Sequence, residues 1–267
     1  MQQALDLVDI GANLTHESFR ADFDAVLERA RAQGVTQMLV TGASAGGSRA
    51  ARELARAHPG LLHATAGVHP HHAIEYDEDT DALLREIVAD PLVRAVGETG
   101  LDYHRNYSPH AAQVDAFERQ LEIAADCGKP LFLHQRDAHA DFLACMDRVA
   151  GRIARAVVHC FTGERAELVD YLDRGWSIGI TGWICDERRG RHLRALVRRI
   201  PLERLMLETD APYLLPRDLA PKPAHRRNEP KYLPHVAKVV AACREEPFEA
   251  VAAATTRNAR AFFGFGA

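Results

Sequence analysis

Ala95-Val-Gly-Glu-Thr-Gly-Leu-Asp-Tyr103 puts one carboxylate, that of Glu98, where an apolar run ends. Leu92–Val96 reads as a short buried strand, and Gly97 and Gly100 bracket a tight turn. A charged group at such an edge costs desolvation unless something offsets it, and a metal ion would. Three later runs also end in possible ligands. His134 follows Pro130–Leu133, His159 follows Ala156–Val158, and Asp210 follows Leu205–Thr209. Glu, His, His and Asp at the ends of separate strands is the pattern of a metal-dependent hydrolase built on a barrel.

Outward from that stretch, strand and helix patterns alternate. Leu5–Ile10 reads as a strand, Glu17–Gln33 as a helix stopped by Gly34, and Val35–Val40 as the second strand. Ser44 is placed to cap a helix that runs through Ala57. Leu61–Val68 is the third strand, and Asp79–Ala89 a helix before the strand that delivers Glu98. Helices follow at His110–Cys127, Asp137–Val149 and Glu164–Arg174, each after a strand that is or precedes a ligand run. Trp176–Ile180 is the seventh strand, Glu187–Arg199 a basic helix and Arg204–Thr209 the eighth strand. A Pro-rich loop, Ala211–Pro230, leads to helices at Pro234–Arg244 and Pro247–Phe263. Eight strand–helix units predict an α/β protein, a single (β/α)8 TIM barrel spanning residues 1–267 as one domain. An open doubly wound sheet would carry a Gly-rich phosphate loop after its first strand, and Asp9-Ile-Gly-Ala-Asn13 is not one.

Composition narrows the function classes. The formal net charge of -4 gives no global positive field, so nucleic-acid binding needs a local basic patch. The loop after the eighth strand supplies Arg217, Lys222, His225, Arg226 and Arg227, and that after the seventh supplies Arg188, Arg189 and Arg191. Asp186, Glu187, Asp218 and Glu229 are interleaved with them and can absorb the charge locally. Five cysteines without a Cys-x-x-Cys pair read as reduced thiols of a cytoplasmic protein. The first residues lack the pattern of a signal peptide, and no apolar stretch is long enough to span a bilayer. Within Gly67-Val-His-Pro-His-His72, His69 leaves the strand end directly and is the site candidate, whereas His72 reads as an ordinary loop imidazole. Arg136, two residues after His134, suits either a phosphate or an ion pair with a nearby carboxylate.

At this point the chain resembles the TatD family of metal-dependent deoxyribonucleases, within the amidohydrolase-like barrels. The resemblance rests on Asp9–Thr15, Gly67–His71, Gly97–Asp102, Leu133–Ala138, His159–Gly163, Ile180–Gly190, Glu208–Asp218 and Arg226–Pro230, in order over nearly the whole chain. It implies a 3′–5′ exonuclease of single-stranded DNA, with RNA as a second candidate substrate, acting as a monomer away from membranes. It implies a divalent metal cofactor, magnesium first, with manganese or zinc as alternatives. Glu98 would be a bridging ligand, His134 and His159 ligands of one ion, and Asp210 ligand of the other and catalytic base. His69 and Arg136 would hold phosphate oxygens, and Arg226 and Arg227 the polymer. The family usually carries His-x-His after the first strand, where this chain has Gly11 and Asn13; His16 lies too far along to replace them. The rivals are a related hydrolase of amides, esters or phosphotriesters, and a non-catalytic metal or nucleic-acid binder.

Overall fold

Apolar runs that are buried almost throughout form eight strands, and the amphipathic stretches between them form helices. A computed structural model of the chain describes residues 5–266. The strands are β1 (Leu7–Ala12), β2 (Val35–Val40), β3 (Leu62–Ala66), β4 (Val93–Asp102), β5 (Leu131–Arg136), β6 (Ala156–Val158), β7 (Ser177–Ile180) and β8 (Leu205–Leu207). They lie in one sheet in chain order. A parallel bridge between Ala12 and Ala211 joins the ends of β1 and β8. Between the strands run α1 (Phe23–Ala32), α2 (Ala45–Ala57), α3 (Glu78–Val88), α4 (His110–Cys127), α5 (His139–Arg148), α6 (Arg165–Asp173) and α7 (Arg191–Leu196), and α8 (Leu233–Arg244) and α9 (Phe248–Phe263) close the chain. Strand order and alternation are those of a (β/α)8 TIM barrel, as the sequence predicts. The described residues pack as two compact units, residues 40–159 and residues 5–39 with 160–266.

In the 40–159 unit, β4 corrects the expected turn. Gly97 and Gly100 do not end the strand; it runs on to Asp102 with a shift in register against β5 between Val96 and Thr99. Both glycines have positive φ, 139° and 144°. A Cβ at Gly97 would collide with the Phe132 carbonyl oxygen, and one at Gly100 with that of His134. The two strands thus approach too closely for any side chain there. Glycine in this stretch marks close backbone approach, where the sequence pattern suggested a turn.

α4 pins the ends of two strands with buried glutamines seven residues apart. Gln120 accepts from Val68 N (2.7 Å) and donates to Val68 O (3.1 Å). Gln113 accepts from Asp102 N (2.8 Å) and donates to Asp102 O (3.1 Å). These side chains satisfy backbone groups that have left the sheet ladder. They also fix where His69 and Asp102 begin.

In the other unit, the expected helix Glu17–Gln33 is two pieces, a 3-10 turn at Glu17–Phe19 and α1. His16 caps the turn by accepting from Ser18 N, 3.1 Å. The expected helix Glu187–Arg199 starts later, because Asp186 Oδ1 accepts from Arg188 N (2.8 Å) and Arg189 N (3.1 Å) and holds a turn there. Among the described residues no helix is long and apolar enough to cross a membrane. All five cysteines are free.

Gly100→Ala should lower stability by about 1–3 kcal/mol or more, because the strand pair must move apart. Gly46→Ala, in α2 with open space around it, should instead raise stability by about 0.5–1 kcal/mol. Denaturant midpoints of the two variants test the contrast; equal shifts would show that β4 and β5 tolerate separation.

Candidate metal centre

Glu98 sits inside β4, 6% exposed, and its N–H donates to Gly42 O at 2.8 Å. Three imidazoles from different chain segments face one of its oxygens. His159 Nε2, just past β6, is 2.8 Å from Oε1, His134 Nδ1, on β5, is 3.0 Å away, and His69 Nε2, past β3, is 3.3 Å away. Burial alone would raise the Glu98 pKa, but His159, His69 and His134 overcome it and hold the carboxyl well below the usual range. The carboxylate is therefore ionised despite its burial.

Asp102 completes this half. Its Oδ2 lies 2.9 Å from His71 Nε2 and 3.4 Å from His134 Nε2, the latter longer than a good hydrogen bond but close enough for charge attraction. Its Oδ1 accepts from His104 N (3.0 Å) and Arg105 N (2.8 Å). Burial opposes ionisation of Asp102, and the two histidines and backbone donors hold its pKa low. His134 is raised against its own burial by Asp102 and Glu98. A carboxylate behind a histidine, on the ring nitrogen away from the first carboxylate, is how metal-ligating imidazoles are oriented.

The four residues His69, Glu98, His134 and His159 do not play equal parts. His69, Glu98 and His134 offer ligand atoms within 4.8 Å of one another. Yet His69 Nδ1 accepts from His71 N at 3.1 Å, so in the neutral ring the proton is on Nε2, the atom facing Glu98. Burial pushes the His69 pKa down to about 4, so the ring is neutral at pH 7. Its Nε2–H is a donor suited to an anionic oxygen, and His134 Nδ1, 3.0 Å from the ionised Glu98 Oε1, donates to it. Buried imidazole nitrogens around one ionised carboxylate oxygen, with a carboxylate behind one ring, fit a divalent cation.

Asp210 belongs to the other unit. Its backbone is left-handed (φ 55°), its N–H donates to Gly11 O at 2.8 Å, and its Oδ1 accepts from Asn13 Nδ2 at 2.8 Å. Asn13 thus turns its amide N–H2, rather than its oxygen, to the carboxylate. His16 is occupied as a turn cap, with its ring edge-on to Tyr213, and does not replace the missing pair. Behind Asp210, Asp9 accepts from Thr209 N (2.9 Å), Thr209 Oγ1 (2.5 Å) and Gly11 N (3.2 Å), and Glu208 accepts from Cys160 N.

The arginines separate. Arg136 is half-buried and makes no ion pair among the described residues. Arg227 is committed to Asp22 (2.8 Å), Glu229 (3.0 Å) and Ser18 O (2.6 Å) and lies over the Phe19 ring. Arg226 is exposed. Arg217 faces Asp186 and Glu187 at 3.6 Å, so the interleaved acids do absorb part of the basic loops. Asp102, His71, Gln113 and Gln120 escaped the sequence reading. Asp102 lies in Ala95–Tyr103, four residues after Glu98, but nothing in linear spacing pairs it with His134.

The model of TatD related DNase matches residues 8–264. The chain belongs to this family. A 3′-5′ ssDNA/RNA exonuclease TatD of Erwinia amylovora is 52% identical over 258 residues, covering 97% of this chain and all of the relative. One of Pantoea vagans is 51% identical over 257 residues, 96% of this chain and 99% of that one. The crystal structure of a TatD homolog from Escherichia coli K12 superposes with a TM-score of 0.89 at 26% identity, over 99% of this chain and all of that one. The barrel expected from strand–helix alternation is thus the fold of the family.

Burial pushes the Asp9 pKa up to about 7, against the hydrogen bonds from Thr209 and Gly11. The native state therefore binds this proton more tightly than the unfolded chain, whose Asp titrates near 3.9. The stabilisation is complete below about pH 4 and is lost as pH rises through about 7. Asp9→Asn should flatten that part of the stability–pH curve measured on chelator-treated protein; a wild-type curve without the decline would place Asp9 as an ordinary ionised carboxylate.

Proposed function

We propose that this protein is a metal-dependent nuclease that removes nucleotides from the 3′ end of single-stranded DNA and also acts on RNA. The observation that carries the reading is the Glu98 oxygen faced by three imidazoles, in a chain of the TatD related DNase family. Glu98, His134 and His159 would hold a divalent ion, and Asp210 would be a ligand of the other ion. The bound metal supplies polarisation of a phosphoryl oxygen and acidification of a water molecule. Magnesium suits the reading best, with manganese or zinc as alternatives, because Gly11 and Asn13 bring no imidazole and leave an oxygen-rich set.

The chain's own groups divide the remaining work. Asp210 takes the proton of the attacking water, and Asn13, donating to Oδ1, keeps its carboxylate oriented. His69 donates its Nε2 proton to a phosphate oxygen. Arg136, which makes no ion pair among the described residues, grips a second phosphate oxygen. Arg226 tracks the polymer backbone; Arg227, braced on Asp22 and Glu229, shapes the loop that carries Arg226. We read the protein as a cytoplasmic monomer, which its free thiols and lack of a membrane-crossing helix among the described residues suit.

His134→Ala with His159→Ala should abolish metal-dependent release of nucleotides from a 3′-labelled oligonucleotide while leaving the circular dichroism spectrum near wild type. Millimolar magnesium or manganese should restore full rate to chelated wild type, since few protein ligands hold a hard ion loosely. Full activity in the double variant would overturn the assignment.

Arg226→Ala should raise KM for DNA and reduce the salt slope by roughly one charge. Arg227→Ala should leave the slope near wild type and lower the thermal midpoint, because Asp22 and Glu229 lose their partner. Steady-state kinetics across salt concentrations, with melting curves of both variants, separates the roles. A salt slope lowered by Arg227→Ala alone would reverse them.

A further inference from the structure

A second mixed donor set stands apart from the Glu98 centre and Asp210, within the unit of residues 5–39 and 160–266. Cys185 ends the 3-10 turn Gly182–Cys185 that follows β7. Asp218 lies in the Pro-rich loop, and His235 in the first turn of α8. One ligand atom from each, a thiol sulfur, a carboxylate oxygen and an imidazole nitrogen, lies within 4.8 Å of the other two. His235 Nε2 and Asp218 Oδ1 are 2.7 Å apart. Cys185 is fully buried, while the Asp218 and His235 side chains keep 35% and 28% of their exposure. The set is therefore closed on the sulfur side and open to solvent on the other, which gives an ion a way in and a place for a water ligand.

The surrounding residues hold this set in shape. Thr181 caps the turn by accepting from Trp183 N at 3.3 Å. Arg194 Nε donates to Ile184 O at 3.1 Å, beside Cys185. Arg217 faces Asp186 and Glu187, so the neighbours of Asp218 and Cys185 are themselves paired. We propose that Cys185, Asp218 and His235 bind a thiophilic divalent transition-metal ion of the zinc class, fastening the Pro-rich loop to the turn after β7 and to α8.

The donor chemistry selects the ion. Without a cation, burial and Asp218 both push the Cys185 thiol upward, so it stays protonated beside the His235–Asp218 contact. A metal reverses that balance by displacing the thiol proton to solvent and taking the sulfur as thiolate. Thiolate and carboxylate together match a divalent charge, and nearby Arg194 favours the thiolate. One sulfur, one nitrogen and one oxygen with a water in the fourth position is a tetrahedral zinc set; magnesium, which seeks oxygen, has no use for the sulfur.

The test is spectroscopic and needs no activity. The full chain, stripped with chelator, is titrated with cobalt(II). A sulfur-to-cobalt charge-transfer band requires a thiolate ligand, and the Glu98 centre offers only nitrogen and oxygen. Wild type should develop the band with one equivalent of cobalt, and Glu98→Gln should keep it. Cys185→Ser should lose it. Asp218→Asn and His235→Gln, both at partly exposed positions, should weaken cobalt binding at the band by on the order of tenfold or more. Wild type that takes up cobalt with no such band overturns the proposal, as does a band of unchanged affinity in all three variants.

Discussion

The structure turns on one buried negative charge. Glu98 sits in the middle of a strand, where its desolvation penalty is large, and it stays ionised only because imidazoles from three other places face it. Those rings arrive on β5, just past β3 and just past β6, so the centre exists only when four segments far apart in sequence are in register. The carboxylate is costly to the fold if its partners are lost, and that cost ties stability to the assembly of the site. Removing one ring weakens two things together, the electrostatic balance of Glu98 and the ligand set.

Gly100 is the geometric counterpart of that charge. It lies midway between Glu98 and Asp102 on β4, and its register partner on β5 is His134. With no side chain at 100, the backbones approach and the His134 ring fits between the two carboxylates, Nδ1 toward Glu98 and Nε2 toward Asp102. A strand holds its side chains more firmly than a loop does, and Gln113 fixes the far end of this one through both backbone groups of Asp102. Gln120 does the same for Val68, one residue before His69. One helix face therefore sets the positions of Asp102, the carboxylate beside His134, and of His69.

Much of this was legible in the sequence, and the parts that were not share a cause. Alternation of apolar runs with helical periodicity identified the eight units, because each strand buries nearly all its side chains and each helix one face. Strand-end histidines and Glu98 stood out because a polar group closing an apolar run needs a reason. Gly97 and Gly100 misled, since a glycine required by a crossing strand looks the same in sequence as one required by a turn. Asp102, His71 and the two glutamines are defined by contacts between residues 11 to 52 apart, which linear spacing does not encode. Arg226 and Arg227 are adjacent and identical in type, and only the acids folded against Arg227 tell them apart. The helix expected over Glu17–Gln33 broke because His16 and the turn it caps offered the backbone a local alternative.

The first strand carries the departure that most shapes the chemistry. An imidazole at position 13 would donate a lone pair to a cation; Asn13 instead donates a hydrogen bond to Asp210. That bond restricts the carboxylate's rotation. The left-handed backbone of Asp210 is anchored to Gly11 O, so the same two positions that lack imidazoles now hold Asp210 in place, one by side chain and one by carbonyl. The buried Asp9 extends this support by receiving both the N–H and the hydroxyl of Thr209, the residue before Asp210. The first strand has thus exchanged ligation for orientation. Under the proposed function, that support sets the direction in which Asp210 meets a water molecule.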